Sequence, residues 1–123
     1  MTSARQKSGA LGEKLAAEHL KGLGYRILKT NFRCSKGEID IIAQDGDYLA
    51  FVEVRARTGT GFGTPEESVT HFKKEKLISL ALTYLQTLHH PPSLWRIDVV
   101  AVELDQQGKA SRIELIQNAI SGR

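Results

Sequence analysis

GEIDIIAQDGDYLAFVEVRAR, residues 37–57, reads as two strands joined by a tight turn. β-Branched and aromatic residues crowd both arms, and Asp45-Gly46 between them signals a two-residue type I′ hairpin. If Gln44 and Asp47 flank that turn, Asp40 faces Phe51, Glu38 faces Glu53 and Ile39 faces Val52. In this register Ile39, Ile41, Ala50, Val52, Val54 and Ala56 share one apolar face. A slip of one residue would bury the charges instead, so the two apolar sets support each other. The opposite face carries Glu38, Asp40, Glu53, Arg55 and Arg57, together with Ile42 and Phe51. Asp40 and Glu53 are diagonal neighbours there, with backbones roughly 7–8 Å apart.

Carboxylates inside a half-covered hairpin need a reason, because burying one unpaired costs several kcal/mol. A solvent-facing lattice of Glu–Arg pairs is one reason, common and contributing little. Convergence on a hard cation is the other, and Ile42 and Phe51 on the same face favour a partly covered site. Mg²⁺ takes oxygen ligands in octahedral geometry and keeps several waters, which suits phosphodiester chemistry. The hairpin by itself leaves both open.

Around the hairpin, 123 residues make one ordinary domain, 1–123, with residues 1–8 expected as a flexible N-terminus. Hydrophobic content of 41% and charged content of 25% are globular values and exclude wholesale disorder. The net charge of +3 and pI of about 9.1 lean weakly toward polyanions. Cys34 is alone and cannot form an internal disulfide, and no Cys/His cluster has zinc spacing. His89-His90 reads as a polar helix end, and His19 as a packed core histidine. No apolar run approaches ~20 residues, so no membrane partner is expected. Met1 to Gly9 lacks an apolar signal segment, and a cytoplasmic address is expected.

Residues 8–23 have a helical stripe of Leu11, Leu15, Ala16, Leu20 and Leu23, closed by Gly24. Glu13 lies at the edge of this stripe, where spacing alone makes it a solvated residue. Residues 25–33 form a first strand. TGTGFGTP, residues 58–65, is a Gly-rich connection. Gly59, Gly61 and Gly63 would let it approach a phosphate, but Glu66 and Glu67 repel one, and a plain flexible link is the better reading. Thr64-Pro65-Glu66-Glu67 has the form of a helix start. That helix runs to about His90, with a break near Thr70 and a stripe of Leu77, Ala81, Leu85 and Leu88. LWRIDVVAVEL, residues 94–104, is a central strand in which Asp98 pairs with an arginine or lysine as a structural charge. Residues 112–117 add a further strand. The order α-β-β-β-α-β gives an α/β fold, a mixed sheet of four to five strands flanked by helices.

Asp40, followed after a short hairpin by Glu53-Val54-Arg55 and preceded by a helix bearing Glu13, resembles the restriction-endonuclease-like PD-(D/E)xK nuclease superfamily. GEIDII, FVEVRAR, ESVTHFKKEKL and WRIDVVAV look like the YraN family of small bacterial proteins, over roughly residues 9–120. The nearest analogy within the superfamily is to archaeal Holliday-junction resolvases, dimeric enzymes that cut branched DNA. The resemblance implies a restriction-endonuclease-like core and a Mg²⁺- or Mn²⁺-dependent DNA endonuclease selecting structure rather than sequence. It makes Asp40, Glu53 and the Val54 carbonyl metal ligands, with Glu13 reaching the ion directly or through a water. It makes Glu13, Asp40, Glu53, Arg55 and Lys73 the catalytic set, and Arg33, Lys36, Arg57 and Lys76 further nucleic-acid contacts. DNA is the implied partner, with a homodimer as a further expectation. Two positions depart from the pattern. Ile39 replaces the proline before the motif aspartate, and Arg55 replaces the motif lysine. Arginine holds phosphate well but stays protonated and cannot serve as a general base. The alternative is the same fold kept as an inactive nucleic-acid-binding or protein-partner module.

Overall fold

Between an N-terminal helix and a shorter one in the second half of the chain lies a sheet with both faces covered. The computed structural model describes residues 4–59 and 63–119; Gly61 and residues 1–3 lie outside them. Helix α1 (Ala4–Gly22) is followed by β1 (Arg26–Cys34), β2 (Gly37–Asp45) and β3 (Tyr48–Thr58). A 3₁₀ turn (Glu66–Ser68) precedes α2 (His71–Leu85), and β4 (Trp95–Leu104) and β5 (Ala110–Ile116) complete the order. Among the described residues the strands form one mixed sheet in the order β1-β2-β3-β4-β5. Only the β3–β4 pair is parallel, as a crossover through α2 requires. This is a restriction-endonuclease-like α/β core.

Burial on both faces explains why β2, β3 and β4 read as near-continuous apolar runs. On one face Ala16 and Leu20 of α1 pack with Tyr25, Ile41, Ala43, Ala50, Val52, Val100 and Val102. On the other Leu77, Leu80, Ala81 and Leu85 of α2 pack with Ile42, Leu49, Phe51, Ile97 and Val99. Fully buried aliphatic side chains of this kind contribute about 1.5–3 kcal/mol each. Helix α1 approaches β3 closely at Gly12, where a Cβ would stand 2.6 Å from that of Ala56. Glycine at this contact sets the depth at which α1, and therefore Glu13, docks.

The hairpin differs from its expected form in two ways. Asp45 pairs with Tyr48 and Ile41 with Val52, so the turn is Gly46-Asp47. Gly46 has φ 59°, while Asp47 keeps a negative φ, the arrangement of a Gly-X type II′ turn. The register therefore moves by two residues, which leaves every expected face of β3 intact. One step beyond Ile41–Val52, Asp40 comes beside Glu53 rather than diagonal to it. Ile39 is the second difference. It packs with Phe32, Ile42 and Phe51 on the α2 face, not with Ile41 and Val52. The cause lies at Asn31 and Asp40. The β1–β2 ladder passes from Thr30–Ile41 to Phe32–Ile39 without an Asn31–Asp40 pair, and Asn31 has φ 53°. The strand turns over at that point.

The second half also departs from expectation. Glu67 accepts from the Thr64 N–H (2.6 Å) and hydroxyl (2.8 Å), but Thr64 is not the cap; Pro65 takes that place, without a side-chain hydrogen bond. The break expected near Thr70 is present: the first piece is a 3₁₀ turn, Val69 is extended (ψ 93°) and Thr70 becomes the N-cap of α2, accepting from the Lys73 N–H. Helix α2 stops at Leu85, short of His90. No helix of the described residues is long and apolar enough to cross a membrane.

Candidate functional site

Where β2 and β3 leave the hairpin, an open cleft of about 1060 Å³ lies between the first turns of α1, the 3₁₀ turn, the start of α2 and the β4–β5 loop. Glu13, Glu38, Asp40, Glu53, Arg55, Arg57 and Lys73 all line it. All five expected catalytic residues therefore meet in one place. Glu38 joins them as a fourth carboxylate.

Each acid is brought in by a different piece of local structure. Glu53 lies on the α2 face of β3, two residues after Phe51, and is only 8% exposed. Asp40 sits at the ladder gap of β2, where the Val54 N–H donates to its Oδ2 (2.8 Å). Glu13 is carried in by α1 one residue after the Gly12 contact. Glu38 lies opposite Arg33 of β1 and forms an ion pair with its Nε (3.0 Å). Glu13, Glu38 and Asp40 each offer a carboxylate oxygen within 4.8 Å of the others. With its amide nitrogen turned toward the acids, Asn31 donates to Glu13 Oε1 and Glu38 Oε1, 2.9 Å each.

This crowding of negative charge changes proton affinities. Burial, then the Glu53 carboxylate, pushes Asp40 from 3.8 up to about 8; Glu13 adds to this and the Val54 N–H opposes it. Burial also raises Glu13, followed by the charges of Glu38 and Glu53, with Arg33 opposing. The carboxylates crowd one another, and it is this crowding together with burial that raises Asp40 and Glu13.

Arg55 is the cation paired with Glu53. Its Nη1 reaches Glu53 Oε2 (3.2 Å) and its Nε donates to Ser68 Oγ (2.8 Å), while the Ser68 hydroxyl donates to the Pro65 carbonyl (2.5 Å). The 3₁₀ turn thus fixes the guanidinium that stands in the motif-lysine position. Lys73 is exposed in the first turn of α2 and Arg57 follows Arg55 on the same face of β3. The other expected nucleic-acid contacts sit elsewhere. Arg33 is exposed beside Glu38, Lys36 lies in the β1–β2 turn, and the Lys76 side chain lies against Gly37. None of these three lines the cleft.

Three participants escaped the sequence reading as site residues: Glu38, Asn31 and Ser68. The signal for Glu38 was present, since its like charge on the face of Glu53 needs a cation or an arginine to offset it. Asn31 and Ser68 act through backbone conformations that strand and helix patterns do not carry. Asp98 behaves as expected. It is fully buried and takes Arg96 Nε on both oxygens (3.0 and 3.1 Å), the Tyr25 hydroxyl (3.0 Å) and the Asn118 N–H (2.8 Å).

Residues 12–102 match the uncharacterised protein family UPF0102. The chain is 52% identical over 118 residues to a UPF0102 protein of Dehalococcoides mccartyi, covering 94% of each. It is 45% identical over 119 residues to one from Pelotomaculum thermopropionicum, covering 97% of this chain and 99% of that one. A UPF0102 protein of Symbiobacterium thermophilum is 49% identical over 114 residues, 93% of this chain and 96% of its own. Identity at this level over nearly the full length leaves one assignment: the chain belongs to the UPF0102 family, the YraN-like group that its hairpin motifs resemble.

Proposed function

We propose that this protein is a metal-dependent DNA endonuclease that hydrolyses phosphodiester bonds, selecting branched or junction structure rather than base sequence. The observation carrying this reading is the meeting of four carboxylates from α1, β2 and β3 beside Arg55 and Lys73, with Asp40 pushed up to about 8. An all-oxygen donor set, three members of which lie within 4.8 Å, fits Mg²⁺ or Mn²⁺ rather than a soft metal. Asp40 and Glu53 would hold the ion, with Glu13, Glu38 and the Val54 carbonyl as further oxygen donors. When bound, such a cation supplies an acidified water and offsets charge on the phosphoryl oxygens.

The chain's own groups complete the chemistry. Arg55, held by Glu53 and Ser68, presents a fixed positive charge to developing phosphorane oxygens. Lys73 binds phosphate from the α2 side as a mobile point charge. Glu13, with its raised proton affinity, is the acid suited to take a proton from the attacking water at a carboxylate oxygen. Arg55 cannot take that role. A second reading, a binding module without chemistry, draws support from Arg55 replacing the motif lysine and from its commitment to Glu53 and Ser68.

Cleavage of labelled single-stranded, duplex, flap and four-way-junction DNA with Mg²⁺ and Mn²⁺ separates the two. The enzyme reading expects metal-dependent cutting that is lost in Glu53→Gln. It expects Arg55→Lys to keep or raise the rate and Arg55→Ala to lower it ~10²–10³-fold. Equal traces of cutting from wild type and Glu53→Gln would mean contamination and end the nuclease reading.

A further inference from the structure

Asn31 stands between the strand pairs Thr30–Ile41 and Phe32–Ile39, where the β1–β2 ladder skips a pair. Its φ of 53° is left-handed, a conformation that glycine adopts freely and that asparagine and aspartate tolerate better than other residues. Its side-chain amide meets Glu13 Oε1 and Glu38 Oε1, 2.9 Å from each. An amide oxygen at that place would face two acceptors, so the nitrogen fills it and donates one N–H to each acid.

Glu13 and Glu38 come from different elements, α1 and β2, and their like charges repel. A lysine or arginine between them would hold them together but would cancel the charge that draws an ion. Aspartate fits the left-handed backbone but has no donor when ionised, and glycine fits it without a side chain. Asparagine meets both demands, a left-handed backbone and two neutral donors.

The amide is mounted on fixed parts of the fold. On the sheet side, Asn31 is flanked by paired residues of the ladder, and Glu38 Oε2 accepts from Arg33 Nε (3.0 Å). On the helix side, Glu13 follows Gly12, whose approach to Ala56 sets the depth of α1. Asn31 joins the two sides, and oxygens of Glu13, Glu38 and Asp40 come within 4.8 Å of one another.

We infer that Asn31 is a positioning residue for the cation site, a neutral double donor that ties Glu13 to Glu38 within reach of an ion held by Asp40. It acts through Glu13 and touches neither ion nor substrate. The inference rests on the cation reading of the cleft and adds the residue that sets the ligands in place before an ion arrives.

The test is a double-mutant cycle on Mn²⁺ affinity, read from the EPR signal of free Mn²⁺ at pH 8. Asn31→Gly keeps the left-handed backbone, removes both donors and should weaken Mn²⁺ binding about 10- to 100-fold. Glu13→Ala should weaken it as well, and adding Asn31→Gly to Glu13→Ala should cost less than about a further twofold. A residue that only shaped the strand would give losses that multiply. A second measurement leaves position 31 intact. In NMR spectra of wild type, both protons of the Asn31 side-chain amide should resonate downfield of a free amide, and one should return upfield in Glu13→Ala. Unchanged Mn²⁺ affinity in Asn31→Gly, multiplying losses in the cycle, or a free amide signal in wild type would overturn the positioning role and leave the cation reading standing. Absence of saturable Mn²⁺ binding by wild type would overturn both.

Discussion

Two arginine–acid pairs of the same spacing lie on adjacent parallel strands, one on each face of the sheet. Arg96 and Asp98 of β4 face α1, and Glu53 and Arg55 of β3 face α2. Asp98 is fully buried, yet its carboxylate receives Arg96, the Tyr25 hydroxyl and a backbone N–H. Arg96 in turn reaches Asp45 (2.5 Å) and the Tyr25 hydroxyl (2.6 Å), which also accepts from Gln117 (2.9 Å). This network is closed and ties β4 to the hairpin turn and the start of β1. The pair at Glu53 is open. Asp40, Glu13 and Glu38 stand around it, with Arg55 paired to Glu53 and Arg33 to Glu38. A buried charge that already has its partners belongs to the fold, whereas carboxylates crowded at a cleft are left for something that binds.

The comparison is most directly broken at the closed pair. Asp98→Ala leaves Arg96 with Asp45 as its one acid partner, takes the acceptor from the Tyr25 hydroxyl and the Asn118 N–H, and should destabilise the protein by about 3–5 kcal/mol, read from urea unfolding. A loss below about 1 kcal/mol would mean that the network is not what joins β4 to the turn.

The open pair should respond with the opposite sign. Asp40→Asn removes the cost of forcing this carboxyl to take up a proton on folding at neutral pH, retains an oxygen for the Val54 N–H and should stabilise the metal-free protein by on the order of 1 kcal/mol. The pH dependence follows from the direction of the shift. A carboxyl raised from 3.8 to about 8 on folding stabilises fully below the unfolded value, and that contribution is lost as pH rises toward 8. Relative to Asp40→Asn, wild type in a chelator should therefore lose stability between about pH 4 and pH 8. Parallel stability curves for the two proteins across that range would remove the argument from charge crowding.

The legible part of this molecule is the part set by parity and periodicity. Both faces of β3 were readable, because the two-residue shift of the hairpin keeps every residue on its side. Turn identity was not, since Gly46 completes a type I′ signal with Asp45 and a type II′ signal with Asp47. The structure adopts the second, which leaves Asp45 at the strand end where Arg96 can hold it. Ile39 was misplaced because the strand turns over at Asp40, and the positive φ of Asn31 has no period-two signature. After the glycine-rich loop Thr64 and Glu67 do meet, but Pro65 and not Thr64 is the cap, and the expected break at Val69-Thr70 limits this piece to one 3₁₀ turn. Asp40, Glu53 and Arg55 were accessible from the hairpin itself. Convergence of Glu13 was not, and entered only through the resemblance, because it depends on α1 docking at Gly12 against Ala56, a contact between distant parts of the chain.

The central claim, that the open acidic cluster is a cation site, is tested most directly by Mn²⁺ titration at pH 8, followed by the EPR signal of free Mn²⁺ and by the melting temperature. Wild type should bind Mn²⁺ saturably and gain about 2.7 kcal/mol of stability at a hundred times the dissociation constant. Asp40→Asn and Glu53→Gln should each lose both responses while remaining folded. Identical Mn²⁺ responses in wild type and the two variants, or no saturable binding by wild type, would contradict the account.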